Sequence, residues 1–506
     1  MSAQAEACRR PGRQRSPCAI RSDAAYATLA SSSRFVIRGD HVSTETADLI
    51  QLRQTGVTPA EAPRAREASP DRLAHASASS ASPRVLIVTE NASFRFGGEA
   101  VLPLHYFCGL QAAGIPVWMI TNARNRQELS YRLTPDEMGR ISWVPDGPLH
   151  IFTARIARWL PPSFASFVIG QFISIIDQRR AARLARTLIA QHGITVVHQP
   201  VPVSPKHVSA LRDLGVPVVM GPMNGGITYP PGFRGREGWF DRAFVPLGRM
   251  LAGLAHRLFP GKLQAAALLV ANARTAHALP RGVRGKVEPL VENGVNLGVY
   301  QGAGQRPENE AAEPQRAAAP VRFAFAGRLV DWKGVDLLLE AANRARKEVP
   351  LTLEILGDGS WRRRLERQAA ESGLADVVHF RGWMTHQDCA AVLRSSDVFI
   401  LPSLRECGGA AVLEAMAMGL PVIATHWGGP ADYLDATCGI LVAPQHKEQF
   451  IDDLARAMVT LAKSPETRRA MGEAGYQKVV AEYDWRRKIE RVTEIYREVL
   501  QQVRAG

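Results

Sequence analysis

With 506 residues, of which 46% are hydrophobic and 22% are charged, the chain has the composition of an ordinary soluble globular protein. This composition excludes a wholly disordered chain, a collagen-like repeat and a disulfide-stabilised mini-protein, and the length predicts two globular domains and a tail. The formal net charge of +14 leaves three classes of partner open, namely nucleic acid, an anionic membrane and phosphate-rich small molecules.

The N-terminal segment, residues 1–83, is rich in Ala, Ser, Arg and Pro and has no sustained hydrophobic periodicity. It has no continuous apolar stretch of the kind that a secretory signal peptide requires. We therefore predict a disordered tail that is dispensable for the chemistry.

A first α/β domain is predicted over residues 84–300. Its apolar runs are long enough for buried strands, and the stretches between them are long enough for helices. Strands that alternate with helices indicate a parallel, doubly wound sheet. The predicted strands are Arg84–Glu90, Val117–Thr121, Ile194–His198, Val216–Gly221 and Ala267–Asn272.

The segment 301–320 is polar and alanine-rich, contains three prolines and is predicted as a linker. A second doubly wound α/β domain is predicted over residues 321–482. Residues 483–506 carry an apolar stripe at helical spacing and are expected to form a helix that packs back on the first domain. The six strands predicted in the second domain are Val321–Gly327, Leu351–Gly357, Val377–Gly382, Asp397–Pro402, Pro421–Thr425 and Gly439–Val442.

Ligands of such domains bind at the carboxyl ends of the strands. If the two domains face each other across a cleft, the residues that follow each strand are therefore the candidates for ligand binding. Arg328 and Lys333 follow the first strand of the second domain. A guanidinium group can form two parallel bonds to phosphate oxygens, and a lysine adds a point charge. This loop therefore predicts a diphosphate site.

The loop after the fourth strand of the second domain carries two acids, Glu406 and Glu414, on either side of Gly408 and Gly409. A helix is predicted to begin near Ala410, and its first N–H groups form a site for anions. Glu414 lies one turn into this helix, where a carboxylate can accept hydrogen bonds from a ribose. Glu406 precedes the helix and lies nearer to the place of a sugar attached to the diphosphate.

These motifs resemble those of the retaining GT-B glycosyltransferases of family 4. The family has two glutamates separated by seven residues and followed by E-A-M-A-x-G-x-P-V-I, and this chain reads LEAMAMGLPVIAT over Leu413–Thr425. GRLVDWKG is similar to the family's G-R-L…K-G, and ENGVN (Glu292–Asn296) resembles the motif at its interdomain hinge. The resemblance covers about residues 84–503 and is more specific in the second domain. It implies a GT-B fold with two Rossmann-like domains.

The resemblance implies that the second domain binds a nucleotide-sugar donor. Arg328 and Lys333 would hold the diphosphate, Glu414 the ribose, and Glu406 the hydroxyl groups of the transferred sugar. The turn Arg381–Trp383 would lie beside the base through main-chain atoms, with the Trp383 ring packed. The other residues expected to line the donor are Gly382, Cys407, Gly408, Gly409 and Ala410.

The first domain would bind the acceptor, according to the same resemblance. The pair Gly97-Gly98 is similar to the family's glycine-rich first loop, which approaches the donor phosphates. The family's first-domain histidine has no clear counterpart. His198 ends a predicted strand, and Asn224 stands where many members have a histidine, so the sequence leaves open whether either residue contributes to catalysis.

No Asp-x-Asp metal motif occurs in the sequence, and we expect neither a metal nor a cofactor other than the donor itself. Arg328, Lys333 and the helix start near Ala410 would neutralise the departing diphosphate. The family implies front-face retaining chemistry, in which the leaving phosphate accepts the proton of the acceptor. Domain closure would exclude water and so suppress hydrolysis of the donor.

The predicted function is that of a retaining hexosyltransferase, which moves a sugar from a UDP- or GDP-sugar to a hydroxyl group in cell-envelope polysaccharide or glycolipid assembly. Two alternatives remain open: a catalytically silent nucleotide-sugar-binding scaffold, and a GT-B enzyme that makes a small soluble sugar product. NAD chemistry is disfavoured because no G-x-G-x-x-G motif follows the first strand of either domain. Nucleic-acid binding is disfavoured because no recognisable module is present.

Six cysteines without a Cys-x-x-Cys pair indicate a reducing compartment, and we expect a cytoplasmic location. No stretch of 18 strongly apolar residues predicts a membrane span. The segment Trp159–Ile176 lacks charge and lies between arginines, so it is interpreted either as an interfacial amphipathic helix or as a buried helix. The first interpretation adds peripheral contact with the inner face of the membrane and a lipid-linked acceptor.

Overall fold

The computed structural model describes residues 82–94, 98–147, 170–238, 253–298 and 319–505. Nearly all of the predicted tail and linker, Gly97 and residues 159–169 of the candidate amphipathic segment lie outside these ranges. The described residues within 39–146 and 171–506 belong to one compact unit, which contains both sheets. Of the other unit, residues 1–38 and 147–170, the structure describes only Gly147 and Gly170.

The first sheet is parallel throughout, with seven strands in the order β3-β2-β1-β4-β5-β6-β7. All five strands predicted here are confirmed, and two further strands, β3 and β7, were not predicted. Both lie at the edges of the sheet, where one flank is unpaired and a continuous apolar run is not required. The strands are β1 Val85–Val88, β2 Val117–Asn122, β3 Ile141–Val144, β4 Val196–Gln199, β5 Val218–Met223, β6 Ala267–Val270 and β7 Lys286–Pro289.

The central strand β1 explains why its sequence is apolar without interruption. Side chains alternate between the two faces of a strand. Val85 and Ile87 belong to one hydrophobic core, while Leu86 and Val88 belong to another on the opposite face. The helices of this domain whose bounds the structure describes in full are α1 Leu102–Ala112, α2 Arg126–Ser130, α3 Pro135–Gly139, α4 Gly170–His192, α5 Gly261–Gln264 and α6 Ala273–Ala278.

The second sheet is also parallel, with six strands in the order β10-β9-β8-β11-β12-β13. All six predicted strands are confirmed, and with them the expected fold class of two doubly wound parallel sheets. The strands are β8 Val321–Ala326, β9 Leu351–Leu356, β10 Val378–Gly382, β11 Val398–Leu401, β12 Val422–Thr425 and β13 Gly439–Val442. The helices are α7 Val335–Ala345, α8 Arg362–Glu371, α9 His386–Ser395, α10 Ala410–Ala417, α11 Gly429–Tyr433, α12 Lys447–Lys463, α13 Pro465–Lys478 and α14 Trp485–Ala505.

The last helix, α14, leaves the second domain and packs against the first. Its entry is fixed by a short bridge, in which Val295 N–H donates to the carbonyl of Tyr483 at 2.8 Å and Trp485 N–H donates to that of Val295 at 3.1 Å. The apolar stripe of α14 joins the core that contains α1 and one face of β1. Among the described residues, no helix is long and apolar enough to cross a membrane.

Truncation of this stripe tests how much α14 stabilises the first domain. Ile489→Ala is expected to lower the free energy of unfolding by about 2–4 kcal/mol, because it loses apolar contacts and leaves a cavity. The matched control is Val503→Ala on the same helix, where the side chain is 57% exposed; its effect should stay within about 0.5 kcal/mol. Urea unfolding followed by tryptophan fluorescence measures both, and equal effects would contradict the packing.

Candidate functional site

The loops that follow β8 and β11 meet at a half-buried ion pair. The ammonium group of Lys333 donates a hydrogen bond to Oε2 of Glu406, and the two side chains are 17% and 15% exposed. Gly334 makes this approach possible. It has φ 67°, and a Cβ atom there would overlap the carbonyl oxygen of Pro402. The structure thus brings together the lysine predicted for the diphosphate and the glutamate predicted for the sugar.

Arg328 lies in the same loop as Lys333 and is exposed. Main-chain hydrogen bonds of Leu329, the residue after Arg328, hold this loop. Leu329 N–H donates to the carbonyl of Asp358 at 3.0 Å, and the carbonyl of Leu329 accepts from Trp361 N–H at 2.9 Å. Both cations that the sequence assigned to a diphosphate therefore stand at the carboxyl end of β8.

Helix α10 begins beside this ion pair. Gly409 is its N-cap residue, and Ala410 is its first residue. The preceding turn, Glu406 to Gly408, is tied to α11 because Gly429 N–H donates to the carbonyl of Glu406 at 2.9 Å. The first N–H groups of an α-helix have no partner within the helix, and the helix dipole makes this end attractive to anions. The ammonium group of Lys333 and the start of a helix thus lie together beside Glu406.

Glu414 lies in the second turn of α10 and is half-buried. Within the described part of the chain, its carboxylate has no hydrogen-bond partner. Burial raises the pKa of this carboxyl, and the nearby imidazole of His386 opposes the rise. An unpartnered carboxylate is a suitable acceptor for hydroxyl donors.

The turn that was expected beside the base follows β10. Gly382 ends that strand with φ 77°, and its carbonyl accepts from Gly357 N–H at 2.7 Å. The Arg381 guanidinium is held by the carboxylate of Glu354 at 2.6 and 3.2 Å. The expectation that the Trp383 ring packs is wrong: the residue is 64% exposed and directly follows β10, the edge strand of its sheet.

Asn224 connects the first domain to the glycine-rich loop of the second. It follows β5, is buried, and its Nδ2 donates to the carbonyl of Cys407 and to Oε1 of Glu292, both at 2.8 Å. Gly408 permits this contact, because a Cβ atom there would overlap the carboxylate of Glu292. Asn224 therefore belongs to the candidate site, where it holds the main chain of the loop.

His198 lies elsewhere. It is fully buried in β4, its Nε2 is 2.6 Å from the carbonyl oxygen of Gly221, and its Nδ1 is 2.7 Å from the hydroxyl of Tyr496. The carbonyl requires a donor, so Nε2 carries the proton and Nδ1 accepts from the tyrosine. Burial lowers the pKa of this histidine to about 4. His198 therefore joins β4 to α14 and is not placed with Glu406.

Gly98, the described member of the predicted glycine pair, is exposed and begins the short 3₁₀ turn Gly98–Ala100 after β1. A network of hydrogen-bonded polar side chains, which the sequence did not predict, lies at the same end of β1. Glu90 accepts hydrogen bonds from Ser174 and, at 3.1 Å, from Gln178, and Ser174 Oγ is 2.8 Å from His207 Nε2. Burial raises the pKa of Glu90. Its partners lie 84 and 88 positions away on α4, and no local motif marks them.

A buried pair of opposite charge supports the hinge motif. Glu292 and Lys488 are each 5% exposed, and the Lys488 ammonium donates to the carbonyl of Asn293. Burial raises the pKa of Glu292 and lowers that of Lys488 to about 7, and each charge favours the ionised form of the other. Oε2 of Glu292 has no hydrogen-bond partner among the described residues. The motif marked Glu292, but nothing in the sequence marked Lys488.

The sequence of the second domain is similar to that of a known protein family. Residues 308–478 match the family model described as Glycosyl transferases group 1, and this range contains Arg328, Lys333, Glu406 and Glu414. This part of the chain is similar to the glycosyl transferases group 1 family. The match confirms the resemblance to family 4 that the motifs indicated.

Relatives and solved structures extend the comparison. A D-inositol 3-phosphate glycosyltransferase from Saccharomonospora viridis is 33% identical over 45% of this chain and 52% of its own length. A GDP-mannose-dependent monoacylated α-(1-6)-phosphatidylinositol monomannoside mannosyltransferase from Corynebacterium glutamicum is 32% identical over 37% of this chain and 51% of its own length. The chain spans about half the length of the curated relatives it matches.

The fold extends further than the sequence similarity. The structure of sucrose-phosphate synthase from Thermosynechococcus elongatus superimposes with a TM-score of 0.58 over 83% of this chain and 100% of that chain, at 19% identity. Such a match reports on the fold alone. It confirms the predicted GT-B architecture of two Rossmann-like domains.

Removal of the Lys488 charge tests the buried pair. Lys488→Met is expected to lower the free energy of unfolding by about 1–3 kcal/mol, because the carbonyl of Asn293 loses its buried donor and Glu292 loses a nearby positive charge. In a double-mutant cycle with Glu292→Gln, the two losses should fall short of additivity by about 1 kcal/mol. Urea unfolding gives the values, with the exposed neighbour Arg487→Met as the control. Strictly additive losses would show that the two residues do not interact.

Proposed function

We propose that the protein is a glycosyltransferase that moves a sugar from a nucleoside-diphosphate sugar to a hydroxyl group. The observation that supports this most directly is the convergence of Lys333, Glu406 and the start of α10 within the region similar to the glycosyl transferases group 1 family. Two positive groups and a helix start suit a diphosphate, and a carboxylate beside them suits sugar hydroxyls.

In this proposal the donor diphosphate replaces Glu406 as the partner of Lys333. The ion pair keeps the lysine in place, and the incoming diphosphate carries two negative charges where the carboxylate carries one. Glu406 is then released to accept hydrogen bonds from the transferred sugar, while Glu414 accepts from the ribose. Gly382 and the main chain of Cys407, Gly408, Gly409 and Ala410 complete the donor contacts.

The proposed reaction retains configuration and requires no metal. Charge develops on the leaving diphosphate as the glycosidic bond breaks, and preorganised donors at that position lower the barrier. Arg328, Lys333 and the N-terminus of α10 supply these donors. The acceptor hydroxyl attacks from the same face and passes its proton to the departing phosphate oxygen, so no protein base is required.

The proposed acceptor is a hydroxyl group of a cell-envelope polysaccharide or glycolipid, with UDP- and GDP-sugars as the candidate donors. The Corynebacterium relative is named for GDP-mannose and for a phosphatidylinositol acceptor, which supports this class. We place the reaction in the cytoplasm, with a lipid-linked acceptor and peripheral contact at the inner membrane face as the variant to test. A silent scaffold or a soluble product is an outcome of the same experiments.

A panel of nucleotide sugars tests the donor assignment. A true donor stabilises the folded protein by mass action, by about 2.7 kcal/mol at a hundredfold excess over its Kd. We expect the thermal unfolding midpoint to rise with at least one UDP- or GDP-sugar and to rise less in Lys333→Met. The donor assignment fails when no UDP- or GDP-sugar shifts the midpoint.

Glu406→Gln separates sugar transfer from diphosphate binding. We expect turnover to fall at least about hundredfold, because the sugar loses a charged hydrogen-bond acceptor in the transition state. Affinity for the free nucleoside diphosphate should be unchanged or tighter, since the variant no longer pairs with Lys333. Transfer assays and isothermal titration calorimetry measure the two effects, with the exposed Glu371→Gln as the control. Near-normal turnover would refute the role of Glu406, and donor binding without turnover in the wild type would indicate a scaffold.

A further inference from the structure

A segment of the first domain is packed into the core of the second. Residues 227–236, called the strap below, follow β5 and the Asn224-Gly225-Gly226 turn. Tyr229 and Phe233 of the strap are each 4% exposed and belong to the same hydrophobic core as β8 and β11. The Phe233 ring meets Phe450 of α12 edge to face, with centroids 5.7 Å apart.

The strap also holds the turn that carries Lys333. The Tyr229 hydroxyl donates to Oδ2 of Asp331 at 3.0 Å, and Nη1 of Arg236 donates to the carbonyl of Asp331 at 3.2 Å. Both terminal nitrogens of Arg236 bind the carboxylate of Asp336 in the first turn of α7. The strap thus forms hydrogen bonds with Asp331, two residues before Lys333, and with Asp336, three residues after it.

On its other side, the strap lies against the loop between β12 and α11, which in turn lies against the main chain of Glu406. The indole N–H of Trp427 donates to the carbonyl of Thr228 at 2.8 Å. A Cβ atom on Gly428 would overlap both the Ile227 side chain and the carbonyl oxygen of Glu406. The strap therefore contacts the turn of Lys333 directly and reaches the loop of Glu406 through Trp427 and Gly428.

Two acidic residues lie close to Lys333 in the sequence, and the strap binds both of them. Asp331 and Asp336 lie two residues before and three residues after the lysine, and either carboxylate could compete with a phosphate for the ammonium group. Tyr229 and Arg236 engage both carboxylates. This leaves the ammonium group of Lys333 directed to Glu406, beside the start of α10.

We propose that the strap is a positioning element for the donor site: Tyr229 and Arg236 hold the Asp331–Lys333 turn so that Lys333 is presented to the diphosphate. The inference rests on the proposed function and extends it. Diphosphate affinity depends on two residues of the first domain that do not touch the diphosphate. The first domain thereby acts on donor binding as well as on the acceptor.

The experiment compares Arg236→Ala with the exposed Arg234→Ala, two positions away on the same strap. UDP and GDP are the probes, and isothermal titration calorimetry measures their affinity for the full chain. Loss of the charged hydrogen bonds at Asp336 is expected to weaken binding about tenfold in Arg236→Ala. Arg234→Ala should bind as the wild type does, and Arg236→Lys should recover part of the loss, because it restores the charge without the two-pronged contact.

Tyr229→Phe keeps the buried ring and removes only the hydroxyl, so it tests the proposal even if Arg236→Ala does not fold. It should weaken diphosphate binding and raise the donor KM while the acceptor KM stays unchanged. A merely structural strap would lower the unfolding midpoint without changing the affinity of the folded protein. Wild-type affinity in both Arg236→Ala and Tyr229→Phe would overturn the proposal. Failure of the wild type to bind either UDP or GDP would instead overturn the proposed function, and the strap's role with it.

Discussion

The ion pair between Lys333 and Glu406 is the contact on which the candidate donor site depends. Its partners come from the loops after β8 and β11, which are neighbours in the second sheet, so their carboxyl ends lie side by side. Gly334 removes the side chain that would keep these loops apart. A half-buried pair of this kind is poorly hydrated, and each partner therefore needs either the other or a charged ligand in its place. In the proposed function, a bound diphosphate replaces Glu406 as the partner of Lys333.

The first domain reaches this site at two places. Asn224 and Glu292 contact the main chain of the glycine-rich loop, and the strap contacts the turn of Lys333 and the neighbouring loop of Trp427. These contacts bury polar groups that must stay paired, since an unpaired buried donor or acceptor costs about 1–3 kcal/mol. The donor loops are thus held by both domains, and their geometry follows from the arrangement of the two sheets.

Buried charge also shapes the junction of α14 with the first domain. Burial of Lys488 or Glu292 alone as an ion would cost desolvation free energy. Their placement near each other reduces this cost. His198 follows the same principle with neutral groups, because its two nitrogens are satisfied by a carbonyl and a tyrosine hydroxyl. Polar groups in this core therefore fix which helix packs on which strand, while the apolar stripe of α14 supplies most of the stabilisation.

The apolar runs and the polar residues that follow them were sufficient to predict the two parallel sheets and the loops of the candidate donor site. Buried parallel strands require apolar runs, and ligand groups follow directly after these strands, so both signals are local. The edge strands β3 and β7, the partner of Glu292 and the role of His198 could not be read in the same way. Tyr496 lies 298 positions from His198, Lys488 lies 195 positions from Asn293, and Asp331 lies 102 positions from Tyr229. Only the tertiary structure decides such contacts, because they depend on how complete elements pack and leave no periodic or motif signal along the chain.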